Sequence, residues 1–106
     1  MDNPTLFGQV KRKLNITWED EDTTARIEEI IDSAIPDLKH RLGITEENFD
    51  FSRAGTENTL FLAYCLYEWN HALSDFEDNY SNMMAQCKQK HEVANYQANS
   101  GVTMDA

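Results

Sequence analysis

The strongest order in this chain is a single apolar stripe. Ile27, Ile30, Ile31, Ala34, Ile35, Leu38 and Leu42 recur at the three- and four-residue spacing of one helix face. The spacing predicts a helix over about residues 19–42, stopped by Gly43 as a left-handed cap. Pro36 lies inside the pattern. It removes a hydrogen bond to the Asp32 carbonyl and predicts a kink or break there. Upstream, Leu6, Phe7, Val10 and Leu14 predict a shorter helix over residues 4–14, capped by Asn3 and opened by Pro4. Lys11, Arg12 and Lys13 fall in its last turn, where the helix dipole favours cations. In the link "NITWEDEDT", Thr17 reads as the next cap, and Glu19, Asp20, Glu21 and Asp22 fill the first turn of the second helix. A calcium loop needs regular ligand spacing and a glycine turn, and this run has neither.

Further on, Phe61, Leu62, Cys65, Leu66, Trp69, Ala72, Leu73, Phe76 and Tyr80 share one broad face of a third helix over residues 56–79. Tyr64 and Tyr67 lie off that face beside Leu60. This patch reads either as a second packing surface or as a partner interface. A fourth segment, residues 81–96, carries Met83, Met84, Cys87, His91, Val93 and Ala94. It either continues the third helix or folds back after residues 79–82. Residues 44–55 read as a loop with a short turn at 45–48, in which Phe49 and Phe51 cover the core. Residues 96–106 are small and polar and read as a flexible tail. The expected architecture is all-α: one domain over residues 1–95, a small helical bundle with two long central helices, a short N-terminal helix and a C-terminal helix plus tail. No repeat or low-complexity tract interrupts it.

Composition narrows the partners. The chain has 106 residues and a formal net charge of −10, from 19 acids against 9 bases. Such a balance repels nucleic-acid phosphate and anionic lipid, which argues against a DNA-binding module and against a membrane as partner. No apolar run approaches spanning length, and the N-terminal residues lack the apolar core of a signal peptide. Cys65 and Cys87 form no CxxC pair, so a reduced, cytosolic-type protein without a disulfide is expected.

The chemistry-bearing residues do not converge in the sequence. "EWNH", Glu68 to His71, has the Glu-x-x-His spacing of di-iron bundles, and "DLKH", Asp37 to His40, repeats it with aspartate. On a helical wheel both pairs turn away from the apolar stripes, whereas di-iron ligands must aim into the bundle. Cys87 and His91 are spaced i,i+4. A tetrahedral zinc site would need two more ligands, and only Cys65 and two outward histidines remain. No nucleophile elbow or phosphate loop is present. The expectation is a non-enzymatic protein with no catalytic residue, cofactor or metal.

Two stretches resemble a known family. "LFGQVKRKLNITWEDEDTTARIEEIIDSAIPDLKHRLGI" is similar to the opening of the small head–tail connector (adaptor) proteins of long-tailed bacteriophages, also described as phage DNA-packaging proteins. That opening is a short helix, an L-x-I link, an acidic turn and a long Ile/Ala-rich helix ending in L-G. "LFLAYCLYEWNHALSDFEDNYSNMMAQCKQKHEV" is similar to the family's third helix and its L-Y…A…F…N-Y run. These are packing patterns, and they span most of residues 6–93.

The resemblance implies an all-α virion structural protein in the head–tail neck, present in the host cytoplasm during assembly. It implies a ring of identical subunits, often dodecameric, beneath the portal protein. The ring extends the DNA channel, passes DNA without specific binding and docks the next neck or tail-completion protein. On this reading the candidate interface residues are Glu19, Asp20, Glu21, Asp22, Tyr64, Tyr67, Glu68, His71 and Asp75. The candidate portal-reaching tail carries Tyr96, Val102 and Met104. The alternative is a small cytosolic acidic helical module that binds or sequesters a basic partner.

Overall fold

The computed structural model describes the backbone of residues 4–104 and the side chains of residues 5–96. The expected Asn3 cap lies outside the described residues. Four helices follow one another: α1 (Pro4–Lys13), α2 (Glu21–Leu42), α3 (Thr56–Trp69) and α4 (Leu73–Met104). The described residues contain no strand, so the protein is a small all-α bundle. Helix α3 is its central element, with α1, α2 and α4 all packed against it, and α2 also touches α1 and α4.

The core is built from the apolar stripes. Leu6 and Val10 of α1, and Ile27, Ile30, Ile31, Ala34, Leu38 and Leu42 of α2, are buried with Leu60, Phe61, Ala63, Tyr64 and Cys65 of α3. Phe76 and Cys87 of α4 complete it. Each large apolar side chain withdrawn from water contributes about 1.5–3 kcal/mol. Helix α2 continues through Pro36. The stripe is buried on both sides of the proline, and that packing carries the helix across the missing bond.

The link between α1 and α2 is fixed at three points. Asn15 takes a left-handed backbone, with φ 59°, and ends α1. Ile16 is buried, and its N–H bonds the Lys11 carbonyl at 3.1 Å. Asp20, not Thr17, is the cap of α2. Its backbone is extended, and its carboxylate accepts from the Thr23 N–H at 3.0 Å and the Thr23 hydroxyl at 3.1 Å. A carboxylate satisfies an open N–H and opposes the dipole at once, so it wins over the earlier threonine.

The largest correction is the end of α3. The chain breaks at residues 70–72, not at 79–82. Asn70 caps the helix through its N–H to the Leu66 carbonyl, 3.2 Å, and its side-chain amide donates to the same carbonyl at 3.0 Å. His71 is left-handed, with φ 57°, and the Ala72 N–H returns to the Tyr67 carbonyl at 2.8 Å. Helix α4 then runs back along α3. Tyr67 meets Phe76 and Tyr80 near the corner, and Glu57 meets His91 at the far end. A continuous helix would have left Phe76 beyond the bundle; the turn places it in the core.

Packing also decides which faces of α3 are buried. Tyr64 lies on a face that a wheel of α3 places away from the core, yet it is buried. Helix α3 has neighbours on several sides, so one stripe does not describe it. The backbone of residues 96–104, within the segment expected as a flexible tail, forms the last turns of α4. In the loop between α2 and α3 the turn falls at residues 47–48. Phe51 is buried there and stacks on Phe61 with ring centroids 5.0 Å apart.

Candidate functional site

At the open end of the α3–α4 hairpin, polar groups converge on Glu57. This residue stands in the first turn of α3, where the dipole favours a carboxylate. Its Oε2 accepts from the Lys90 ammonium at 2.6 Å, from His91 Nε2 at 2.7 Å and from the Cys87 thiol at 3.5 Å. Cys87 and His91 stand one turn apart on α4 and therefore face Glu57 together. Phe49, from the loop before α3, lies edge-on to the His91 ring with centroids 5.7 Å apart. A cleft of about 280 Å³, lined by Phe49, Asp50, Arg53, Ala54 and Glu57 among others, opens beside the carboxylate.

Burial works against the Glu57 charge, but the bonds from Lys90, its own backbone N–H and His91 outweigh it. The carboxyl is held down to about 2. Desolvation and the adjacent Glu57 push the Cys87 thiol up to about 11. Burial likewise pushes the Cys65 thiol well above its usual range. Both cysteines are free and buried. The sequence reading saw the Cys87–His91 pair but missed Glu57. The helical spacing that exposes the pair says nothing of a residue 30 positions upstream of Cys87. Only the hairpin brings it there.

The acidic run lies at the other end of the bundle. Glu19, Asp20, Glu21 and Asp22 are all exposed at the start of α2, and the first three border a shallow surface depression with Thr24, Ala25 and Glu28. Asp20 serves as the cap. Glu19 approaches the Lys11 ammonium at only 3.9 Å, too far and too exposed to cancel the patch.

The remaining interface candidates divide. Tyr64 is 4% exposed and belongs to the core. Its hydroxyl donates to Asp37 Oδ2 at 2.5 Å. Asp37 also accepts from Arg41 Nε at 3.1 Å, and Arg41 reaches Glu77 of α4 at 2.9 Å. One polar network therefore ties α2, α3 and α4 together. Tyr67 is half-buried against Phe76 and Tyr80, and its hydroxyl accepts from Asn79 at 3.1 Å. Leu60 and Tyr64 are thus buried in the core, and Tyr67 packs against Phe76 and Tyr80 of α4.

Glu68 is half-buried at the end of α3, while His71 and Asp75 are exposed beyond the break. Glu68 and His71 do not share a helix, so the half-motif of a di-iron site is not formed. His71 meets Arg26 instead, whose guanidinium lies 3.2 Å from its Nε2. Tyr96 is 71% exposed on α4; the side chains of Val102 and Met104 lie outside the described residues. Comparison with protein-family models, with curated proteins and with solved structures returns no match to this chain.

Proposed function

We propose that this protein is a structural subunit of a bacteriophage neck, a head–tail connector that joins copies of itself into a ring beneath the portal. The ring lengthens the DNA channel and docks the next neck or tail-completion protein. The observation that carries the reading is the exposed acidic end of α2. Glu19, Asp20, Glu21 and Asp22 project from one corner of a chain whose net charge is −10. A wall of this charge repels phosphate, so a duplex passes without sticking.

The order of elements supports the same reading. A short helix, a Leu-Asn-Ile link with Ile16 in the core, an acidic cap and a long helix closed by Gly43 are the parts to which the resemblance points. Subunits in a ring meet head to tail through two different patches. Basic groups near the ends of α1 and α2 are the complement to an acidic corner. Helix α4 offers a long surface to a larger partner, with Met83, Val93 and Tyr96 among its exposed side chains.

Native mass spectrometry and negative-stain microscopy, with the protein alone and mixed with a portal ring, test the proposal. Rings or decorated portals are the expected result. A strict monomer or dimer that ignores the portal overturns it and favours a small acidic binding module instead.

A further inference from the structure

We propose that Glu57, Cys87 and His91 form a binding site for a zinc-like divalent cation. One carboxylate oxygen, one sulfur and one imidazole nitrogen lie within 4.8 Å of one another. Two donors come from one face of α4 at i,i+4, the spacing by which a helix chelates a metal. The third comes from the first turn of the antiparallel partner helix. Tetrahedral zinc, with bonds of about 2.0–2.3 Å, sets its ligand atoms about 3.3–3.8 Å apart. The thiol already stands 3.5 Å from the carboxylate. The imidazole stands at 2.7 Å and needs only a small side-chain rotation to open that gap.

The donor set selects the ion. Sulfur and nitrogen suit zinc and cobalt, whereas magnesium and calcium take oxygen. Cys87 is buried, His91 and Glu57 are mostly so, and the cleft beside Glu57 gives an ion a way in. Phe49 against the imidazole restrains its ring. Three protein donors leave a fourth position for water. Lys90 is the competitor. Its ammonium sits on the same carboxylate oxygen at 2.6 Å and supplies the positive charge in the metal-free protein. Its side chain is 58% exposed, so it can turn into solvent when a cation takes its place. A bound ion would pin α3 to α4 where the hairpin is open. The assembly proposal stands or falls independently of this site.

Cobalt titrated into the reduced, metal-free full chain tests the site. The expected result is saturation near about one equivalent, with the visible bands of a tetrahedral centre and a near-ultraviolet thiolate band; zinc then bleaches both. Cys87→Ser abolishes the near-ultraviolet band and Cys65→Ser keeps it. Glu57→Gln and His91→Gln weaken binding by more than about 100-fold, beyond the loss seen when only an outer partner of a ligand is removed. Lys90→Gln separates a metal site from a fixed ion-pair cluster. It tightens cobalt binding about two- to fivefold, the size of a lost exposed pair. Absence of saturable binding in the wild-type chain overturns the proposal without reference to any variant. A thiolate band that survives Cys87→Ser, or weaker binding in Lys90→Gln, overturns it as well.

Discussion

The guanidinium of Arg26 lies over the Trp69 ring, 4.4 Å from its centroid, and donates to the Trp69 carbonyl at 2.8 Å. One side chain of α2 thereby covers the aromatic face at the end of α3 and satisfies a carbonyl that the ended helix leaves open. It also reaches His71, so the corner between α3 and α4 is held from α2. Arg26→Ala should lower unfolding free energy by about 1–2 kcal/mol, from one charge-assisted hydrogen bond and a cation–π contact. Arg26→Lys should recover less than half, because an ammonium lacks the planar fork that makes both contacts. Urea unfolding followed by tryptophan fluorescence reads both.

Acid should weaken the open end of the hairpin first. Glu57 has its carboxyl lowered from 4.5 to about 2. The linked stability is therefore fully present above pH 4.5 and is lost as pH falls toward 2. Allowing for the exposure of Lys90, the amount is about 2 kcal/mol. A urea series between those pH values should show a smaller acid-side loss in Glu57→Gln than in the wild type. Equal losses would remove Glu57 from the account.

The Tyr64–Asp37–Arg41 network predicts coupling. Tyr64→Phe removes the donor to Asp37 and should cost about 1–2 kcal/mol. Asp37→Asn should cost a similar amount, and the double variant should cost less than the sum, because the two share one bond. Burial first, and then the bond to Asp37, push the Tyr64 phenol above its ordinary range. Ultraviolet titration should accordingly find Tyr64 the last tyrosine to ionise, and Tyr64→Phe should delete that late step.

Gly43 closes α2 with φ 66°, and its N–H bonds the His40 carbonyl. A Cβ there would meet only ordinary contacts with Lys88 and Glu92. The cost of Gly43→Ala is thus conformational, about 1 kcal/mol. A loss much above that in chemical denaturation would mean that α4 cannot give way at this point.

The sequence alone determined the helical class, the stripe of α2, its glycine cap and the acid excess at its start. Each is a local pattern: a period, a capping residue or a charge run needs no knowledge of what lies opposite. It misplaced the end of α3 because Phe61 to Tyr80 keep a helical period across the Asn70–Ala72 turn, and period alone does not see two positions of reversed chain direction. Once the hairpin closes, Tyr64 has a helix on the side that a single stripe calls solvent. Residues far apart in the chain then meet: Arg26 with Trp69, Asp37 with Tyr64, and Glu57 with Cys87 and His91. Those meetings were decided by the tertiary structure, because they depend on which faces of separate helices are brought together. No spacing within one helix encodes that.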